Sequence, residues 1–188
     1  MSGPEHAPVN RAASIVIVGV LLCHLAQAGP QEAARPARAS WESFDRVLQS
    51  ILEASRDRFR RVEGVRIENR RREFYFEAKT YLPQASYCRI LEGPVYCCEW
   101  DAKGPSAALS VYEKLVGRIK GAVGEQWAQT ARMGKARKDT LFRAEGRAIV
   151  QAIWQSDPPK VYVLVLPPGS SNEGYTGNIP SIENFLHP

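Results

Sequence analysis

The sequence predicts an α+β fold in two layers: a mainly antiparallel six-stranded sheet covered on one face by two helices. Two stretches carry apolar residues at helical intervals, one starting at Ser40 and one at Pro105. Shorter runs between Glu73 and Leu166 either alternate in polarity or are continuously apolar, and they stop at Gly, Pro and Asp, as strands do. The order is helix then three strands, and it occurs twice. Residues 40–101 and 105–166 therefore predict an αβββ duplication within a single α+β domain, 40–168, although residue identity between the halves is slight.

The chain of 188 residues is 44% hydrophobic and 24% charged, enough for one domain with a core and too short for two large ones. Residues 1–28 read as a signal peptide. Arg11 precedes the apolar run that begins at Ala12, and Ala26, Gln27 and Ala28 form a cleavage site of small-x-small type. The strongly apolar part, Ser14 to Cys23, is about half of what a bilayer span requires, so no transmembrane segment is expected after processing. Residues 29–39, rich in Pro, Ala and Gln, read as a disordered spacer. The expected location is outside the cytoplasm, periplasmic or extracellular.

From Ser40, the residues Trp41, Phe44, Leu48, Ile51, Leu52 and Phe59 define a helix over about 40–60, with Ser40 as N-cap and Glu42 and Asp45 in the first turn. Arginines gather beyond it. Arg58, Arg60, Arg61, Arg70, Arg71 and Arg72 are the candidate anion-binding residues, although Asp57, Glu63, Glu68 and Glu73 lie among them. Glu73–Leu82 alternates and is expected as a half-buried strand. Phe74 and Phe76 share one side, and Tyr75 and Tyr81, the candidate interface residues, share the other.

Tyr87–Trp100 reads as a hairpin turning through Glu92, Gly93 and Pro94. Leu91 then faces Val95, and Cys88 faces Cys98. A disulfide between Cys88 and Cys98 follows, with Cys97 left as a partly buried free thiol. A slip of one residue would pair Cys88 with Cys97 and turn Tyr96 and Trp100 to water. Such a cystine suits an oxidising compartment.

Pro105 opens the second helix, whose stripe is Ala108, Tyr112, Leu115, Ile119 and Val123. Gly117, Gly121 and Gly124 are expected to allow close approach of a neighbouring element, and Trp127 to cap the core. Ala128–Asp139 has no clear period and reads as a basic loop. Thr140–Ala144, Ala148–Gln155 and Lys160–Leu166 are the last three strands, with VYVLVL expected at the sheet centre. The tail, 169–188, is expected either to wrap the domain through Tyr175, Ile179, Ile182 and Phe185 or to remain free.

Once residues 1–28 are removed, His187 is the one histidine left, which argues against Ser-His and Cys-His nucleophiles, histidine zinc sites and haem ligation. The cysteine spacing fits no metal or redox pattern, so no metal and no cofactor is expected. The leading expectation is a small non-enzymatic binding or assembly protein that docks an unknown protein partner, with a homodimer as one form. The alternative is an anion-binding protein using its Arg-rich edge on an acidic polysaccharide or anionic membrane surface, in line with the net charge of +5. Nucleic acid is the least expected partner of an exported chain. A hydrolase using Glu73, Glu77, Glu99 and Asp101 ranks last.

Overall fold

The computed structural model describes residues 40–68 and 74–170. The expectations for the signal peptide, the spacer, Arg70, Arg71, Arg72, Glu73 and the tail beyond Ser170 fall outside these residues.

The first helix, α1 (Phe44–Ala54), is shorter than the periodicity predicts, because single 3-10 turns flank it at Trp41–Ser43 and Ser55–Asp57. Ser40 caps the first of these turns by accepting from the Glu42 N–H at 3.1 Å. Arg58 ends the second in a left-handed conformation (φ 58°), and the Phe59 N–H then reaches the Ala54 carbonyl at 2.8 Å, a Schellman-type closure.

Four strands follow: β1 (Glu63–Glu68), β2 (Phe74–Ala78), β3 (Tyr87–Leu91) and β4 (Val95–Asp101). The second helix, α2 (Pro105–Val123), starts at the proline predicted for it and leads into β5 (Ala128–Met133), β6 (Arg137–Arg143), β7 (Ile149–Ser156) and β8 (Pro159–Leu166). All strand pairs are antiparallel, in the order β1-β2-β3-β4-β8-β7-β6-β5. The sheet thus has eight strands rather than six. The two extra ones, β1 and β5, are its outermost members. An edge strand is hydrogen-bonded on one side only, and all six residues of β5 are exposed, so neither strand needs the alternation by which inner strands are recognised. Each half is a helix followed by a four-strand meander, and the two final strands, β4 and β8, meet at the centre.

The helix-side core takes the even positions of β4, namely Tyr96, Cys98 and Trp100, with Val161, Val163 and Val165 of β8 and the buried stripes of both helices. Two indole N–H groups tie elements together: Trp100 donates to the Pro83 carbonyl and Trp154 to the Pro105 carbonyl, each at 3.2 Å. Trp127 packs against this core as expected. The glycines of α2 behave differently from expectation. A Cβ added at Gly117 or Gly121 would meet nothing within 4 Å, so neither marks a close approach, whereas Gly124 (φ +82°) supplies the helix C-cap.

β2 ends at Ala78, four residues before the predicted Leu82. Tyr75 and Tyr81 therefore do not share a strand. Tyr75 lies on the face away from the helices, while Tyr81 packs at the margin of the helix-side core.

Candidate functional site

Period-two alternation and the observed register assign the outer face of the sheet residue by residue. Glu77 pairs with Arg89, Arg89 with Cys97 and Cys97 with Leu164. One row over, Tyr87 pairs with Glu99, Glu99 with Tyr162 and Tyr162 with Ile153. On the other side run Tyr75, Leu91 and Val95. The face is apolar at one end and carries charge and phenols at the other.

This face forms its own buried cluster of Leu91, Val95, Cys97, Ile149, Ile153, Tyr162, Leu164 and Leu166, to which neither helix contributes a residue. Leu164 is 0% exposed, Cys97 1% and Tyr162 2%. The expectation that Cys97 is partly buried is therefore exceeded.

Beside the apolar part sits Arg89, only 6% exposed. Its guanidinium lies 5.6 Å from the Tyr75 ring centroid and 5.8 Å from that of Tyr87, and 3.7 Å from a Glu99 oxygen. The charge is thus held by two aromatic faces and one carboxylate. Lys160 Nζ stands 3.6 Å from Glu99 and 3.3 Å from Asp101. The rings of Tyr75 and Tyr81 both meet Tyr87 edge to face, and the Tyr81 hydroxyl donates to Glu77 at 3.0 Å. The two interface candidates are therefore joined through Tyr87.

Two oxygens in this cluster are buried without a hydrogen-bond partner: the Tyr162 hydroxyl and Glu99 Oε2. They belong to residues directly opposed on β4 and β8. Buried polar atoms are ordinarily satisfied, and this adjacent pair is an exception.

Burial raises the phenol pKa values of Tyr87 and Tyr162, and nearby carboxylates raise them further. Burial pushes the Cys97 thiol up to about 11, with the neighbouring Arg89 cation opposing the shift. At neutral pH these groups are protonated, so the buried Cys97 supplies no thiolate nucleophile. Glu99 and Asp101, two of the carboxylates considered for hydrolysis, share the Lys160 ammonium.

The predicted disulfide joins Cys88 to Cys98, and Cys97 is free. Of the arginine candidates, Arg61 is committed locally, to Asp57 at 2.7 Å and to the Glu53 carbonyl at 3.1 Å. Arg58 and Arg60 line a shallow depression with Glu63, Phe74 and Gly93. Sequence reasoning did not single out Tyr87, Arg89 or Tyr162, and it named Glu99 only as a candidate hydrolytic carboxylate. For Tyr87, Arg89 and Glu99 the signal was present, because the hairpin register that opposes the cysteines also sets Tyr87 against Glu99 and Arg89 against Cys97 on the outer face. Tyr162 sits in an apolar run whose strand partner is fixed only by the long-range pairing of β4 with β8.

Among the described residues there is no group of three or more His, Cys, Asp and Glu placed to hold a metal ion, and no helix long and apolar enough to cross a membrane. Compared with known protein families, with curated proteins and with solved structures, the chain matches none.

Proposed function

We propose that the protein is exported, to a periplasmic or extracellular location, and acts there as a small non-enzymatic binding or assembly protein that receives its partner on the outer face of the sheet. The observation that carries this reading is the half-exposed aromatic and polar rim of that face, Tyr75, Glu77 and Tyr87, which flanks the buried Arg89. Tyrosines at a surface of this kind give a partner both contact area and a hydrogen-bonding group. The Cys88–Cys98 disulfide supports the oxidising location. We also read the two helix-plus-meander halves as a structural duplication, in keeping with their mirrored strand order.

The test has two arms. Protein recovered from outside the producing cell is sequenced from its N-terminus; a start at Gly29 is expected, and a retained Met1 in protein confined to the cytoplasm overturns the export reading. In the second arm, a photo-crosslinking residue replaces Tyr75, with a control at Glu113 on α2. A discrete adduct from Tyr75 that disappears in an Arg89→Ala background supports the outer-face reading, and equal labelling from both positions defeats it. An adduct with a second copy of the chain identifies the partner as the homodimer.

A second reading rests on a different observation. Arg56 and Arg58 border a shallow depression with Gly93, Pro94 and Pro167 through Ser170, a setting open to an anionic surface. Retention on immobilised heparin that is lost in Arg58→Ala and falls with salt favours it. Unaltered retention of that variant counts against it.

A further inference from the structure

Among the described residues the sheet ends in two outermost strands, β1 and β5, and they differ. At β1 the register with β2 shifts between Glu63 and Arg66, Gly64 lies against the Glu77 carbonyl, and the Arg66 guanidinium folds 4.0 Å over the Phe74 ring. A bulge and charged residues are the usual protection of an edge against further pairing. At β5 the bulge is absent. Ala128–Met133 keeps an unbroken six-residue register with β6 and contains no proline, and all six of its residues are exposed. Met133 is 72% exposed, one of the two large apolar side chains so open among the described residues.

The charge around this edge has one sign. Between Ala128 and Arg143 there are five basic residues, Arg132, Lys135, Arg137, Lys138 and Arg143, and one acidic residue, Asp139. Asp139 is already engaged, 3.7 Å from Arg137 and 3.2 Å from the Gln151 amide. A second copy laid along β5 would bring two such hairpins together, and like charges across a strand pair repel. An acidic strand would meet attraction at the turn end of the edge, where Lys135 and Lys138 lie.

We propose that β5 is a docking edge that takes an extended, acidic segment of a partner protein as a ninth strand of the sheet. Main-chain hydrogen bonds to β5 supply the pairing, the basic hairpin selects acidic side chains, and Met133 offers an apolar contact on the helix side. This surface is separate from the outer-face cluster on β2, β3, β4, β7 and β8, and the two stand or fall independently.

The probe is a short fluorescent peptide of alternating Glu and Val, added to the folded protein at low salt. Three controls accompany it: the Lys and Val counterpart, a version N-methylated on alternate residues, and the protein variant Lys135→Glu in the exposed turn. Expected are saturable binding of the acidic peptide, slowed hydrogen exchange confined to the amides of Ala128–Met133, loss of binding on N-methylation, and weakening by about threefold in Lys135→Glu. Absence of binding at millimolar peptide overturns the proposal. So does binding that survives N-methylation or leaves the β5 amides unprotected, which would mark a general attraction of anions such as sulfated polysaccharide or nucleic acid. A dimer in sedimentation whose β5 amides are protected without any peptide also overturns it, because the occupant is then a second copy.

Discussion

Cys88 and Cys98 stand directly opposite one another on β3 and β4 and are joined by a disulfide, with both sulfurs fully buried on the helix side of the sheet. Removing the crosslink by Cys88→Ala with Cys98→Ala is expected to cost about 3 kcal/mol, the loop-closure contribution of a bridge between residues 10 apart in sequence. Urea unfolding of the double variant against the oxidised parent measures it. A loss well below 1 kcal/mol would show that the reduced chain already holds the hairpin closed.

Cys97, on the opposite side of the same strand, governs behaviour at high pH. Its folded pKa is raised to about 11 from 9.0 by burial. Above pH 9 the unfolded chain loses the thiol proton while the folded one keeps it, so the folded state binds more protons and stability falls as pH rises. The loss is confined to the window between about pH 9 and pH 11 and amounts to roughly 2 to 3 kcal/mol. Cys97→Ala should remove this component, leaving the decline that the raised tyrosines cause from pH 10 upward. Denaturant midpoints of parent and variant across this range give the comparison, and parallel curves would show that the thiol ionises alike in both states.

How far the fold was legible follows from where information resides in a strand. The hairpin could be read to the residue because one turn and one cystine fix its register, so Leu91 against Val95 and Cys88 against Cys98 came together. β8 could be placed at the centre because Val161 through Leu166 are buried on both faces, and a continuous apolar run records that. β1 and β5 could not be read, since strands that bury neither face carry no pattern beyond charge. The outer-face cluster was half visible. The alternation put Tyr75 opposite Phe74 and Phe76, as observed, but nothing local shows that β8 brings Tyr162 and Lys160 alongside Glu99.

Tyr162→Phe removes a buried hydroxyl that has no hydrogen-bond partner. The free protein is expected to gain about 1 kcal/mol, since an unsatisfied buried polar group is relieved. Urea unfolding of the variant against the parent measures the gain, and crosslinking from position 75 should be unchanged, since a side chain 2% exposed does not reach a partner. Destabilisation by more than about 1 kcal/mol would mean the hydroxyl serves the fold.

Tyr112 of α2 and Thr140 of β6 share a hydrogen bond of 2.7 Å, and Thr140 is 2% exposed. Tyr112→Phe leaves the Thr140 hydroxyl without this partner and should cost about 1 to 2 kcal/mol. Thr140→Val leaves the tyrosine without its partner and should cost a similar amount. With both changes the pair is gone and neither group is orphaned, so the double variant should lose less than the sum of the singles. The coupling from this cycle, expected at about 1 kcal/mol, isolates the contact that fastens the second helix to the β5–β6 side of the sheet. Strict additivity would mean that the two hydroxyls find other partners, and that packing of Ala108, Leu115 and Ile119 alone holds the helix in place.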